Sequence, residues 1–392
     1  MVPFRLPFFI TLFTTLAESV HLPAPTGPYG VGFTQHVFNH TTPNDPTPGP
    51  GSVLLISIYY PTLSAPSPNT SVPYFDPTSA TIWGEVFNIA PKDLLSIETV
   101  LQWQAPILTP EEAKTVKDLP TLIFGPGGGV NAIMYTTLLS DLASKGYLVL
   151  AIDHPGEAPY LPLPYNNSGI TGWDIYMPYS DELIQQIYEF RLSDILFLVS
   201  EGFPALVRQF GAYFNTRTYG AFGHSMGAAQ ATGAMDRFSS IIAGINIDGG
   251  LFGDSVDAKL NGRPYLMTMN PAHFASDTTW PGFIERYAEE ARGTGKGWID
   301  WTTVVGSAHL ALSDIPLWVE LLPKGNGTAP VPALGNVTGV RTNEYMRTYF
   351  GAFWDWVSGG AYDEVLEGEV EEWPEVVFNG TVRPDGYATQ DD

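Results

Sequence analysis

The chain has 392 residues, 44% of them hydrophobic, enough to build one large core or two smaller ones. Its 18 Lys and Arg against 41 Asp and Glu leave a formal net charge of −23, a surface that repels phosphate backbones and anionic membrane faces and argues against a nucleic-acid partner. With no cysteine in the chain, disulfides, thiolate metal sites and a cysteine nucleophile are excluded.

In chain order, the first segment is "MVPFRLPFFITLFTTLAES", with one basic residue, Arg5, an apolar run from Leu6 to Leu16, and small residues Ala17 and Ser19 at the cleavage-site positions. It is expected to be a secretory signal peptide, residues 1–19; a signal anchor is the alternative, although the apolar run falls short of a bilayer span. Asn-X-Ser/Thr sequons at Asn39, Asn69, Asn166, Asn326, Asn336 and Asn379 agree with export and mark candidate glycosylation sites.

"YGVGFTQHVF" (Tyr29 to Phe38) and "SVLLISIYYP" (Ser52 to Pro61) predict two antiparallel strands, because the Pro-, Asn- and Gly-rich stretch between them must turn. From Ser79 to Lys117 a helical pattern carrying Trp83, Phe87 and Trp103 predicts an inserted cap. A regular alternation follows: strand "LPTLIFGP", a helix over Ala132 to Lys145, strand "YLVLAIDHPG", and a helix in "DELIQQIYEFRLSDILFLVSEG". Then come strand "TYGAFGH", an Ala-rich helix, and strands in "IIAGINIDGG", "PYLMTMNP" and "WIDWTTVVGSAH". This order predicts an α/β fold, a mostly parallel sheet with helices on both faces, in a single domain over residues 20–360. The acidic stretch after Ser358, containing "YDEVLEGEVEEWPEVV", is expected to be a solvated flank, residues 361–392.

In such a sheet the chemistry gathers beyond the carboxyl ends of the strands. Ser225 stands there in "GHSMG", between Gly223 and Gly227, where a strand and the following helix must approach closely; this is the pattern of a nucleophile on a strained strand-to-helix turn. Asp248, after "AGINI", is the candidate acid, with Asp254 and Asp277 as alternatives, and His309, after the last strand, is the candidate base. His309 completes the order serine, acid, base, at separations of 23 and 61 residues (225 to 248, 248 to 309). "FGPGGGVNA" predicts an oxyanion turn in which the Gly128 N–H, made accessible by Gly127 and Gly129, joins the Met226 N–H; a phosphate loop is the rival, but it lacks the lysine and following Ser/Thr. Asp153 and His154 are expected to form a polar network beneath that turn, with contact to the leaving group as the alternative, and Arg191 and Asp194 a local ion pair on their helix. No metal site or cofactor is expected, since too few ligands gather in the sequence.

With these residues placed, the sequence resembles the α/β-hydrolases, and more narrowly the secreted platelet-activating factor acetylhydrolases and their fungal relatives. The resemblance spans roughly Tyr29 to Gly359 and rests on "ISIYYPT", "LIFGPGGG", "AIDHPGEA", "RLSDILFLV", "GHSMGAA", "NIDGG" and "GSAH". It implies Ser225 as nucleophile, Asp248 as acid and His309 as base, in a calcium-independent serine esterase acting on short or oxidised sn-2 acyl chains of phospholipids, with transient contact to a lipid surface. Pro126 stands where mammalian members carry histidine, and Gly128 where they carry a bulkier residue, which implies a wider acyl pocket. Two other readings stand beside it: a hydrolase of non-lipid esters, such as a polyester or cell-wall acyl ester, and a non-catalytic secreted binding protein of the same fold. Oligomeric state is not encoded in any motif of the chain.

Overall fold

The computed structural model describes residues 19–165, 168–324 and 334–389. The expected signal peptide, apart from Ser19, and the sequons at Asn166 and Asn326 lie outside the described residues. Among the described residues no helix is long and apolar enough to cross a membrane.

The strands, in chain order, are β1 (Val20–His21), β2 (Gly30–Asn39), β3 (Val53–Thr62), β4 (Ser71–Pro73), β5 (Ile97–Trp103), β6 (Thr121–Gly125), β7 (Val149–Asp153), β8 (Tyr160–Pro162), β9 (Gly169–Thr171), β10 (Tyr219–His224), β11 (Ile241–Ile247), β12 (Tyr265–Met269), β13 (Ile299–Val304), β14 (Val376–Arg383) and β15 (Gly386–Thr389). The helices are α1 (Pro77–Phe87), α2 (Pro91–Leu94), α3 (Thr136–Ser144), α4 (Asp181–Phe197), α5 (Phe203–Phe210), α6 (Met226–Arg237), α7 (Pro271–Ser276), α8 (Trp280–Thr294), α9 (Ile315–Leu321) and α10 (Gly339–Val357).

One sheet runs β1-β5-β2-β3-β7-β6-β10-β11-β12-β13-β14-β15, with β4 on β5 and the hairpin β8-β9 apart. From β7 through β13 all neighbours are parallel, and β2 and β3 form the expected antiparallel pair, with Gly30 opposite Thr62 and Asn39 opposite Val53. The central strands β6, β7, β10, β12 and β13 are buried along their whole length because helices cover both faces. In β6, Leu122 and Phe124 point into one core with α3 and α10, while Ile123 points into the other with α4, α6 and α8. β10 divides in the same way, Phe222 to the first core and Ala221 to the second.

Two expectations need correction. The stretch from Ser79 to Lys117 is not a cap over Ser225: α1 is nucleated by Asp76, whose side chain accepts from Thr78 and Ser79 N–H, and buries Trp83 and Phe87 in the core against Trp318. Its second half becomes β5, inside the sheet between β1 and β2. Aromatic residues at helical spacing there serve packing, and the period of the pattern did not reveal that it changes to a strand at Ile97. The acidic C-terminal stretch is not a free flank either. Val376 to Val382 pair antiparallel with β13, and Arg383 meets Asp300 at 2.8 Å. Val365, Leu366, Trp373, Val376 and Val382 are buried, so five apolar anchors among many acids dock the segment.

Candidate active site

Ser225 sits between β10 and α6 with φ 55° and ψ −121°, a left-handed conformation that costs a non-glycine residue about 1–3 kcal/mol. The surrounding glycines explain how the chain holds it. A Cβ on Gly227 would lie 2.0 Å from the Gly125 carbonyl oxygen, and one on Gly223 would lie 2.4 Å from Gly227. β6, β10 and α6 can therefore pack in direct backbone contact, and the Ser225 N–H is tied to the Ile247 carbonyl at 2.9 Å.

Three rim positions meet there. His309, just beyond β13, places Nε2 3.0 Å from Ser225 Oγ and Nδ1 2.6 Å from Asp248 Oδ2. Asp248 follows β11 with φ 52° and is fully buried. Burial alone would raise its pKa. Hydrogen bonds from His273 and His309 and from the Asn270 N–H instead hold the carboxyl well below the usual carboxylate range. Of the alternative acids, Asp254 binds Tyr188 and Arg237, and Asp277 binds Thr279 and His273; neither faces His309.

Of the glycine turn's N–H groups, that of Gly127 donates to Tyr135 Oη at 3.2 Å and that of Gly129 to Glu157 Oε1 at 3.2 Å. The Gly128 N–H and the Met226 N–H, at the start of α6, have no partner among the described residues. A Cβ on Gly128 would lie 3.2 Å from the Met226 side chain at Cγ, so the glycine turn packs against the start of α6.

A buried ion pair braces this turn from below. Arg191 grips both Glu157 oxygens, at 2.8 and 2.6 Å, and donates to the Pro126 and Gly127 carbonyls at 2.6 and 3.1 Å. The expected local pair between Arg191 and Asp194 does not form, because they point to different partners. Asp194 takes His154 Nδ1 at 2.6 Å and Thr42 Oγ1 at 2.6 Å instead. Asp153 lies under the turn as expected, accepting from the Ala132 N–H at 2.8 Å, and burial pushes its carboxyl up to about 6.

His224, next to the nucleophile, completes a chain whose direction is fixed by its ends. The Gly127 N–H can only donate and the His309 carbonyl can only accept. Tyr135 Oη therefore donates to His224 Nδ1 at 2.8 Å, and His224 Nε2–H donates to the His309 carbonyl at 2.9 Å. Burial, reinforced by neighbouring His309, pushes His224 down to about 3 and keeps it neutral. His224, Asp248 and His309 have ligand atoms within 4.8 Å of one another, yet both His224 nitrogens are engaged and both Asp248 oxygens are saturated, so the group does not fit a metal.

Sequence reasoning missed His273, Glu157 and the Tyr135–His224 relay. His273 had a signal, since it lies just past β12, on the rim that holds the other site residues. Glu157 had one only in its proximity to Asp153 and His154. A cavity of about 720 Å³ opens over Ser225, lined by Leu251, Phe252, His273, Asp277, Thr279 and His309 among others, and by none of residues 79–117.

A twisted, mostly parallel sheet flanked by helices, with a serine at the turn after β10, is the α/β-hydrolase fold. Across 92% of this chain it superimposes on 99% of a ferulic acid esterase from Streptomyces cinnamoneus with a TM-score of 0.70 at 24% identity, a likeness of fold alone. Within that class the chain resembles the platelet-activating factor acetylhydrolases: the model of the family "Platelet-activating factor acetylhydrolase, isoform II" matches residues 14–161. A probable 1-alkyl-2-acetylglycerophosphocholine esterase of Arthroderma benhamiae is 27% identical over 272 residues, covering 66% of this chain and 66% of that protein. The platelet-activating factor acetylhydrolase of Cavia porcellus is 23% identical over 287 residues, covering 66% of this chain and 62% of that protein. Less than two thirds of each relative's length is therefore spanned by the match.

Proposed function

We propose that this protein is a secreted serine esterase that hydrolyses carboxylic esters, with short or oxidised sn-2 acyl chains of phospholipids as its main substrates. The observation that carries the reading is the aligned series Ser225 Oγ, His309 Nε2 and Nδ1, Asp248 Oδ2, at 3.0 and 2.6 Å. His309 takes the Ser225 proton as Oγ attacks the acyl carbonyl. Asp248 fixes the tautomer with Nε2 free and stabilises the imidazolium that forms. The Gly128 and Met226 N–H groups, unpaired beforehand, receive the oxyanion without breaking other bonds. His309 then returns the proton to the leaving alcohol, and water releases the acid.

The phospholipid substrate is supported by the names of the two relatives. Secretion is supported by the N-terminal segment and the sequons; Asn39, Asn69 and Asn336 are exposed and accessible to a glycan, whereas Asn379 is half-buried in β14 and its amide donates to Thr303 at 2.7 Å. The test compares an acetylated ether phospholipid with a soluble p-nitrophenyl ester of equal chain length, for the wild type and Ser225→Ala. We expect kcat/KM to favour the phospholipid and the substitution to cost at least about 10⁴-fold on both. Equal or better turnover of the soluble ester would favour a non-lipid substrate, and undiminished turnover by the variant would remove Ser225 from the mechanism.

A further inference from the structure

Asp248 serves two histidines. Its Oδ2 accepts from His309 Nδ1 at 2.6 Å and Asn270 Nδ2 at 2.6 Å, and its Oδ1 from His273 Nδ1 at 3.1 Å and the Asn270 N–H at 2.8 Å. His273 is fixed at its other end too, Nε2 lying 3.2 Å from Asp277 Oδ2. Asp277 is itself an ionised acceptor: its Oδ1 takes the Thr279 N–H at 2.6 Å, the Thr279 hydroxyl at 2.7 Å and the Trp280 N–H at 3.1 Å. An imidazole with a carboxylate against each nitrogen must donate from both, and only the imidazolium can do so. The Trp280 ring, 4.5 Å from the His273 ring, covers it.

Resting on the esterase reading above, we propose that His273 is a positioning residue, a standing cation that shares Asp248 with His309 and sets the pH at which His309 becomes a base. The sequence places it for this task. α7 begins at Pro271 with Asn270 as its cap, so the turn that supplies two donors to Asp248 also aims His273 at the same carboxylate, and Asp277 follows one helical turn later. Among the described residues, four groups set the charge around the His309 ring: Asp248, which favours its protonated form; the His273 ring, 6.1 Å away, which disfavours it; Asp277, whose charge His273 offsets; and neutral His224, 4.6 Å away. Without His273 the Asp248 charge would act on His309 alone, and Asp277 would add to it. His309 would then hold its proton to higher pH and stop accepting one from Ser225. Burial disfavours charge on His273, but the Asp248 and Asp277 carboxylates outweigh it and raise the group to about 9, so the cation persists through neutral pH.

The full chain tests this in two ways. In His273→Gln, a neutral donor replaces the cation. The acid limb of kcat/KM for a short p-nitrophenyl ester, and the His309 ring titration followed by NMR in the free protein, should both move up by about one pH unit, the scale of two unit charges roughly 6 Å apart at a screened rim. A role in packing alone would lower the plateau and leave both midpoints in place, and unmoved midpoints in a folded variant overturn the proposal. The second measurement needs no variant and no turnover: ring ¹⁵N shifts of His273 in the wild type should report both nitrogens protonated at pH 7.5. A neutral His273 at that pH overturns the proposal even if the esterase activity stands. Conversely, loss of the esterase reading leaves the ring measurement intact.

Discussion

Two aspartates of this chain each gather two histidines. Asp248 takes His309 and His273 at the rim of the sheet; Asp194, on α4, takes His154 at 2.6 Å, with His40 at 3.2 Å and the Thr42 hydroxyl at 2.6 Å. Burial would raise both carboxyls, and in both the hydrogen bonds to histidine, first in weight among the opposing causes, bring them below the ordinary value. The clusters differ in what lies at the far nitrogen. His309 Nε2 faces the Ser225 hydroxyl on a side chain that is 45% exposed. His154 is buried, its Nε2 has no hydrogen-bond partner among the described residues, and it packs edge-on against Phe190. An Asp–His pair is thus a general way to bury charge. It becomes a candidate for catalysis where a strand end places it beside a strained nucleophile and open space.

The comparison is sharpened by removing the same charge from each cluster. Asp248→Asn should lower kcat/KM on a short ester by about 10⁴-fold, because an amide no longer selects the tautomer with Nε2 free or stabilises the imidazolium. Far-ultraviolet dichroism should stay unchanged, and a loss smaller than tenfold would place the acid elsewhere. Asp194→Asn should do the reverse. Activity should stay within tenfold, while stability falls by about 1–3 kcal/mol in urea unfolding, because the amide keeps one acceptor oxygen and leaves either buried His154 or buried Thr42 facing a donor. The Asp194 pKa is depressed on folding, so its contribution is present above the unfolded carboxyl pKa and lost as pH falls through the lower folded value. The stability gap between wild type and variant should therefore close in acid. A large activity loss at unchanged stability would make Asp194 part of the reaction machinery.

Much of this architecture was legible in the sequence because it is written in local patterns. Apolar strands ending in turns gave the alternation of a mostly parallel sheet, and Gly223 and Gly227 around Ser225 marked a turn where side chains had no room. The Asp248 and His309 positions followed from the rim rule and chain order, and the structure brings them together with Ser225. What local pattern could not convey was pairing at a distance. Arg191 and Asp194, three residues apart, look like partners on a helix, yet Arg191 faces the Glu157 carboxylate and the oxyanion-turn carbonyls while Asp194 faces His154 and the loop carrying Thr42. The same limit explains β5 and β14. Each segment's place in the sheet depends on a neighbour far along the chain, and neither acidity nor aromatic spacing records that neighbour.

The most direct test of the central claim is reaction of the full chain with a fluorophosphonate, followed by peptide mapping. The geometry predicts one equivalent of phosphonate, carried on Ser225, with labelling abolished in His309→Ala. A folded wild-type chain that stays unlabelled, or labels at another residue, would contradict it.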